Sequence, residues 1–417
     1  MAAGVVIVGA GHAAVALAAA LRQGGYAGPV TLVGAEPQAP YQRPPLSKSW
    51  LKGDVKPEDL LLRPLTFYAE KNITLRLSAT VVLIDRSAAC IHLDTGEALH
   101  YETLVIATGS RLRALDVPGV NSTSVLELRT IADAGRIKAV LRPGQHLAVV
   151  GGGYIGLEVA ASARAIGAEV VVIEREARLL ARVASETLSR FFAQCHADHG
   201  VSVMTGASVA AFEPSAGAVS GVRLADGRVV ACDIAIAGIG ALANDTLAAA
   251  AGLACRDGIV VDEQCTTSDP AIYAIGDCTQ RPLPRYGRTL RLESVPNAIE
   301  QAKQAAAAIC GDPPPRTDAP WFWSDQYDVR LQIAGLPFDV AQQVVRGDPA
   351  SGRFSVFHLD GTGCLQCLEA VNSPAEFAAA RQWVANRQVI DPVRAADCRI
   401  AVRQIVMPAP SNAGAEN

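Results

Sequence analysis

The sequence lacks a long uninterrupted apolar run and an excess of either charge. Its 417 residues include 37 Lys and Arg against 41 Asp and Glu, which gives a formal charge of −4. That balance offers no general attraction to nucleic acid or to an anionic membrane. The apolar stretch from Val5 to Leu21 has no basic segment before it and contains Gly9, Gly11 and His12. It therefore predicts a strand, a turn and a helix, and neither a membrane span nor a secretion signal.

Spacings typical of metal and disulfide sites are also missing. The ten cysteines are scattered, and only Cys364 and Cys367 are close in sequence. Residues three apart on a strand point to opposite faces, and no second cysteine pair or spaced histidine completes a four-ligand site. We therefore predict free thiols, no metal, and the reducing cytoplasm as the location.

What is present suits a folded protein of several domains. Hydrophobic residues make up 50% of the sequence and charged residues 19%. This composition allows substantial cores and differs from that of a disordered chain. The length predicts two or three domains.

The chain carries one arrangement twice: an apolar strand, a glycine-rich turn, an Ala-rich helix, and a second strand that ends near an acid. The first copy has a strand at residues 5–8, its turn at 9–14 and its acid at Glu36. The second copy has a strand at 147–150, its turn at 151–156 and its acid at Glu174. The glycines allow close backbone approach, the helix N-terminus offers N–H groups to a pyrophosphate, and the acid bonds a ribose hydroxyl. The repeat therefore predicts two dinucleotide-binding folds.

The remaining segments suggest how the chain is organised. Residues 81–93 read as a hairpin, and 104–109, 234–240 and 271–277 are each a buried strand that ends in a glycine turn. The chain therefore leaves one domain and re-enters it. From about Trp321 alternating strands at 329–334, 354–359 and 364–371 precede a helix near Pro374, which indicates a third, α+β domain.

Several motifs resemble a known family. The paired glycine turns, residues 107–109 (ATG) and residues 275–277 (IGD) are similar to the flavoprotein disulfide reductase superfamily. Residues 40–48 (PYQRPPLSK), 293–297 (ESVPN) and 321–327 (WFWSDQY) resemble its NADH-dependent ferredoxin reductases of bacterial oxygenase systems. The resemblance runs from about Val5 to about Trp383.

The resemblance implies an α/β fold class with two Rossmann-like domains, glutathione-reductase-like in arrangement, plus the C-terminal α+β domain. It assigns FAD to a discontinuous domain of residues 1–112 and 242–318. NADH belongs to residues 113–241, and residues 319–417 form the C-terminal domain.

One absence supports this branch on chemical grounds. Disulfide reductases place two cysteines four residues apart against the flavin, just after the first acid, and residues 44–48 of this chain contain none. The first cysteine is Cys90. Without a dithiol, reduced flavin must deliver electrons directly to an external acceptor.

The resemblance implies a set of FAD-binding residues drawn from several segments of the chain. They are Gly9, Gly11, His12, Ala13, Ala14, Glu36, Arg43, Lys48, Val82, Ala107, Thr108, Gly109, Gly276, Asp277, Ser294, Val295 and Trp323. His12 is interpreted as a helix-start residue and not as a base. Asp277 would bond the ribityl hydroxyls, although a helix N-cap is an open alternative. Ser294 starts an Ala-rich helix that is expected to point at the flavin pyrimidine.

The resemblance also assigns catalytic roles to Lys48, Glu158, Pro45 and Trp323. A cation at Lys48 stabilises negative charge on reduced flavin, and Glu158 pairs with it. Solvated side chains are the alternative for this pair, and ordinary core positions are the alternative for Trp323 and its neighbour Trp321.

The second unit is expected to hold NADH. Its implied residues are Gly151, Gly152, Gly153, Tyr154, Ile155, Gly156, Glu158, Glu174, Gly238, Ile239 and Gly240. The carboxylate of Glu174 bonds the ribose diol and repels a 2′-phosphate, which favours NADH. Arg175 and Arg178 leave NADPH open, since guanidinium groups there can bind that phosphate.

These assignments imply an NADH:ferredoxin oxidoreductase whose partner is an acidic [2Fe–2S] ferredoxin that serves a monooxygenase or dioxygenase. Arg316 and Arg330, near the tryptophan block, are the hypothetical docking residues. Two other interpretations stay open. One is an NADH oxidase or monodehydroascorbate-type reductase, and the other is a flavin-bearing interaction protein similar to apoptosis-inducing factor.

Overall fold

A computed structural model describes residues 4–215 and 218–407. The first part of the chain forms a parallel sheet around the first glycine turn. Its elements are β1 (Gly4–Val8), α1 (His12–Gln23), β2 (Val30–Val33), α2 (Ser49–Lys52), α3 (Leu65–Glu70), β3 (Ile73–Arg76), β4 (Val81–Asp85), β5 (Cys90–Leu93), β6 (Ala98–Ile106) and β7 (Ser110–Leu112). The strand order is β3-β2-β1-β6-β5-β4, and β5 is antiparallel to both of its neighbours, β4 and β6. Every residue of β1 is buried, as expected for a strand covered on both faces.

The second part repeats this design. Its elements are β8 (Val125–Glu127), α4 (Ile131–Val140), β9 (His146–Val150), α5 (Tyr154–Ile166), β10 (Glu169–Ile173), α6 (Glu186–Asp198), β11 (Val201–Met204), β12 (Val209–Ser215), β13 (Ala218–Leu224), β14 (Val229–Ala231) and β15 (Ile234–Ala237). The parallel sheet has the order β11-β10-β9-β15-β8, and β12 to β14 form a separate antiparallel sheet.

The third part returns to the first sheet. Its elements are β16 (Ala241–Ala243), α7 (Thr246–Ala250), β17 (Cys255–Arg256), β18 (Gly258–Val260), β19 (Ile272–Ala274), β20 (Thr279–Leu283), β21 (Arg288–Leu290) and α8 (Val295–Cys310). Strand β19 pairs in parallel with β6, so the predicted re-entry is confirmed. At the crossing between the two units β16 pairs with β7. The exact domain boundaries stay predictions.

The last part is an antiparallel sheet with helices packed on it. Its elements are β22 (Trp321–Gln326), β23 (Val329–Gly335), β24 (Gln342–Asp348), β25 (Arg353–Leu359), β26 (Leu365–Val371), α9 (Pro374–Ala385) and α10 (Pro392–Ala396). The strand order is β22-β23-β26-β25-β24. The predicted fold class of two Rossmann-like units and an α+β domain is confirmed. Among the described residues, no helix combines the length and the apolar character that crossing a bilayer requires.

The first glycine of each turn is required by close backbone packing. Gly9 has a φ of 126°, and a Cβ there would lie 2.2 Å from the carbonyl oxygen of Ala107. Gly151 has a φ of 110°, and its Cβ would lie 2.4 Å from the carbonyl oxygen of Gly238. Each glycine turn therefore packs against the end of the neighbouring strand in its sheet, at Ala107 in the first unit and at Gly238 in the second. This packing explains why each glycine turn is accompanied by a second glycine-containing segment.

This packing predicts different costs for two substitutions in one turn. Gly151→Ala should lower the free energy of unfolding by about 2 kcal/mol or more, because it adds a clash to a disfavoured φ. Gly153→Ala should change it by less than about 1 kcal/mol, because φ is −82° and nothing lies within 4 Å of the added Cβ. Chemical denaturation of both variants tests this, and equal losses would contradict it.

Candidate active site

A cavity of about 910 Å³ runs along the first glycine turn and reaches β22. It brings together most of the residues predicted for FAD. Those that line it are Gly9, Gly11, His12, Ala13, Glu36, Arg43, Lys48, Ala107, Thr108, Gly109, Gly276, Asp277, Ser294, Val295 and Trp323. Tyr154, Ile155 and Glu158 of α5 complete the wall, so the start of the second unit's helix meets the first unit's cavity.

Three predicted residues stand apart from the described lining. Ala14 is fully buried inside α1, and Val82 is 56% exposed while its neighbour Val81 lines the cavity. Pro45 belongs to a short 3₁₀ turn, Pro44–Ser47, whose other three members line the cavity. The roles of these residues stay predictions.

The N-terminus of α1 fits a phosphate group. Helix α1 has Gly11 as its N-cap, no capping side chain and no acid in its first turn. A Cβ at Gly11 would meet nothing within 4 Å, so the space in front of the helix is open. Burial, with help from Arg43 and Arg129, lowers the pKa of His12 to about 4. His12 is therefore neutral at neutral pH, and the helix N–H groups and the arginines supply the positive potential.

Glu36 is held in place by two side chains. Arg43 donates to one carboxylate oxygen at 2.7 Å, and the Tyr41 hydroxyl donates to the other at 2.5 Å. Arg43 also donates to the carbonyl oxygen of Arg129 at 2.7 Å. The acid at the end of β2 is thus oriented by the segment that follows it and is tied to the second unit.

Asp277 has an open alternative as a helix N-cap, and Ser294 is expected to start a helix. A turn and then β20 follow Asp277, so the N-cap interpretation of this residue is wrong. Its carboxylate lies 3.6 Å from the Arg129 guanidinium and accepts a bond from the Ser110 hydroxyl at 3.4 Å. Ser294 does cap a helix, since its hydroxyl accepts from the Asn297 N–H at 3.2 Å.

Lys48 and Glu158 form a buried ion pair with 2.7 Å between Nζ and Oε2. The interpretation of both as solvated side chains is therefore wrong. The same carboxylate accepts from the Ser47 hydroxyl at 2.6 Å and from the Ser324 hydroxyl at 2.7 Å. Glu158 is 5% exposed. Three donors compensate for the cost of burying this charge.

The two tryptophans have different surroundings. Trp323 lines the cavity. Trp321 packs against Phe377 with ring centroids 5.7 Å apart, and Arg381 lies 5.1 Å above its ring. Trp321 is therefore a packing residue under α9, and Trp323 is the indole at the site.

Comparison with known proteins decides the family. The model for the pyridine nucleotide-disulphide oxidoreductase family matches residues 3–302, and the reductase C-terminal model matches residues 321–406. The chain belongs to this family.

Its relatives are similar over nearly their full length. A probable ferredoxin reductase, CtmF, of Castellaniella defragrans is 48% identical over 404 residues, 97% of this chain and 98% of that protein. The ferredoxin–NAD(+) reductase component of the anthranilate 1,2-dioxygenase system of Burkholderia cepacia is 42% identical over 399 residues, 95% and 98% of the two chains. The crystal structure of the covalent putidaredoxin reductase–putidaredoxin complex matches with a TM-score of 0.94 and 41% identity, covering 97% and 98%.

Membership in the pyridine nucleotide-disulphide oxidoreductase family confirms the predicted oxidoreductase class and the cofactors FAD and NADH. The family name refers to a disulphide, yet all ten cysteines of this chain are free. No cysteine is among the described residues that line the cavity.

The glycines of the second turn of this oxidoreductase lie outside the cavity just described, whereas Tyr154 and Ile155 of that turn line it. The predicted residues that do not line that cavity are Gly151, Gly152, Gly153, Gly156, Glu174, Gly238, Ile239 and Gly240. Glu174 accepts from the Gly152 N–H at 2.6 Å and from the Glu176 N–H at 2.8 Å. Glu174, at the end of β10, is therefore fixed beside the second glycine turn. A nucleotide-binding site needs an acid in this position.

The two arginines near Glu174 differ in availability. Arg178 donates to the carbonyl oxygens of Ala181 and Ala184 at 2.8 and 2.9 Å, so its guanidinium is already engaged. Arg175 is exposed and pairs with Glu176 at 3.0 Å. Arg175 is thus the one of the two whose guanidinium is open to solvent.

Sequence reasoning missed Arg129, Tyr41 and Ser47 at the cavity. Arg129 belongs to the segment before α4 and reaches Asp277, far away in sequence. A separate group was also missed on the β4–β5 hairpin, where ligand atoms of Asp85, Cys90 and His92 lie within 4.8 Å of one another. Oδ1 of Asp85 already accepts from the turn that joins the two strands.

The Glu174 geometry generates a test of cofactor choice. Glu174→Ser should lower the preference for NADH over NADPH by about tenfold or more, because it removes the charge that repels a 2′-phosphate and keeps the exposed guanidinium of Arg175. Steady-state kcat/KM for both nucleotides measures the ratio. Glu169→Ser, at the other end of β10, is the matched control. An unchanged ratio in Glu174→Ser would contradict the assignment.

Proposed function

We propose that this protein is a cytoplasmic NADH:ferredoxin reductase that supplies electrons to an oxygenase through a small acidic [2Fe–2S] ferredoxin. The balanced reaction converts NADH and two oxidised ferredoxins into NAD⁺, a proton and two reduced ferredoxins. Flavin, when bound, supplies the conversion of a two-electron donor into two one-electron deliveries.

The observation that carries this proposal is a redox cavity without a thiol. The described lining contains a buried ion pair and an indole and no cysteine. No dithiol beside the cavity can accept electrons from the reduced flavin, so the electrons must pass to an external acceptor. The relatives named above as ferredoxin reductases support a ferredoxin as that acceptor.

In this proposal, separate groups of residues bind FAD, bind NADH and lie at the reacting end of the flavin. The cavity residues of the first unit and of β19 to α8 hold FAD, with the α1 N-terminus at its phosphates and Glu36 at its adenosine ribose. The second turn and Glu174 hold NADH. Lys48, Glu158, Pro45 and Trp323 lie at the reacting end, where Lys48 supplies positive charge and Trp323 borders the exit toward the acceptor.

The acceptor is tested by anaerobic rapid mixing with NADH followed by candidate ferredoxins. We expect fast ferredoxin reduction and slow NADH consumption with oxygen alone. Rapid NADH consumption by oxygen without any ferredoxin would instead identify an oxidase. Slow reduction with a long-lived charge-transfer complex would identify a flavin-bearing interaction protein.

The docking patch is proposed on the β22–β23 hairpin, beside Trp323. Arg330 is exposed and lies opposite Asp325, two pairs of residues beyond the pair that contains Trp323. Arg316 lies before β22 and donates to the Asn386 side chain at 3.2 Å. In sequence the two arginines lie on either side of the tryptophan block, and their positive charge suits an acidic partner.

Reversing both charges tests the patch. The double variant Arg316→Glu/Arg330→Glu should slow ferredoxin reduction by about tenfold or more at low salt and leave NADH oxidation by ferricyanide unchanged. Arg190→Glu, exposed on α6, is the control. A similar fall in both assays would show that the arginines do not act through docking.

A further inference from the structure

A series of hydrogen bonds continues from Glu158 into the interior, away from the cavity. Ser324 donates to Glu158 Oε1 at 2.7 Å, and the Gln326 amide donates to the Ser324 hydroxyl at 3.2 Å. Oε1 of Gln326 lies 2.8 Å from His196 Nε2, and Nδ1 of His196 lies 3.0 Å from the Tyr327 hydroxyl. We call these five side chains the buried series.

The direction of every hydrogen bond in the buried series follows from the carboxylate at one end and the neutral histidine ring. A carboxylate only accepts, so the Ser324 O–H points at Glu158 and the Ser324 oxygen must accept from Gln326. The Gln326 carbonyl then accepts from Nε2–H of His196, which leaves Nδ1 of the neutral ring to accept from Tyr327. Every donor therefore points toward Glu158, and bonds aligned in this way strengthen one another.

The middle of the buried series is shielded from water. His196 and Ser324 have 0% exposure and Gln326 has 1%. Burial lowers the pKa of His196, which agrees with the neutral ring that the bond directions require. Unpaired polar groups in such surroundings are costly, so the series fixes one arrangement of its members.

The series also joins separate parts of the fold. Glu158 lies on α5 and His196 on α6, both in the second unit, whereas Ser324 and Gln326 lie on β22 of the last part. Ser324 and Gln326 are two positions apart on one strand and therefore share a face. The opposite face of β22 carries Trp323.

We propose that Gln326 and His196 are positioning residues that hold the Ser324 hydroxyl as a donor to Glu158, and so set how much negative charge Glu158 presents to Lys48 and the flavin. This inference rests on the proposed function, in which Lys48 and Glu158 lie at the flavin. It adds a role for buried residues that do not touch the cofactor.

The midpoint potential of the bound flavin is the readout. Ser324→Ala removes one donor, leaves more negative charge at the cavity and should disfavour the anionic reduced flavin. We expect two-electron reduction to become about tenfold less favourable, which lowers the potential by about 30 mV. Gln326→Leu should make two-electron reduction about threefold less favourable and so lower the potential by a smaller amount.

A double variant separates positioning from a general packing effect. If Gln326 acts through Ser324, Gln326→Leu should cause no further shift in a Ser324→Ala background. Ser355→Ala is the matched control, because it removes an equally buried hydroxyl of the same sheet that has no hydrogen-bond partner in the described structure. Its potential should equal that of the unaltered enzyme.

If Gln326→Leu does not fold, Tyr327→Phe takes its place at the partly exposed end of the series. It should give a smaller shift in the same direction, again absent beside Ser324→Ala. Unchanged potentials in Ser324→Ala and in the folded second variant, or additive shifts in the double variant, would overturn the inference. A protein that binds no flavin, or whose flavin NADH does not reduce, would contradict the proposed function instead.

Discussion

The buried carboxylate of Glu158 is the interaction on which the site depends. Its three donors come from two other parts of the chain: Ser47 and Lys48 from the segment after β2, and Ser324 from β22. A charge in this position needs its partners, because leaving it unpaired costs several kcal/mol. The hydrogen bonds and the ion pair of the Glu158 carboxylate thus connect the nucleotide-binding units to the C-terminal sheet. They also fix Lys48 at the cavity wall.

The chemistry of the cysteines agrees with this design. Cys278, next to the cavity residue Asp277, is fully buried, and burial raises its pKa to about 11. Cys265 is buried too, and its pKa is raised to about 12. Both are therefore thiols at neutral pH and are poor nucleophiles. The chain has the two nucleotide-binding units of the family. In the proposed function, electrons leave the flavin beside Trp323 and do not pass through a cysteine pair.

Local sequence patterns predicted the framework, and the family resemblance supplied most of the residues that line the cavity. A glycine that must adopt a positive φ against a neighbouring strand, such as Gly9 or Gly151, leaves a clear signal in sequence. Arg129 and Ser324 leave none, because each acquires its role only through contacts with residues more than a hundred positions away. Strand β24 was missed for a different reason: it is an edge strand that buries only two of its seven residues. The N-cap interpretation of Asp277 failed because a turn before a strand and a turn before a helix look alike in sequence.

The account's central claim is that electrons from NADH rest on the flavin alone before they leave. Anaerobic titration of the purified protein with NADH, followed by the flavin absorbance, tests it most directly. We expect complete reduction with one equivalent of NADH per flavin, since the ring takes up two electrons and no protein group takes up more. A requirement for two equivalents, with thiols appearing as the flavin is reduced, would show a redox-active cysteine pair and contradict the account.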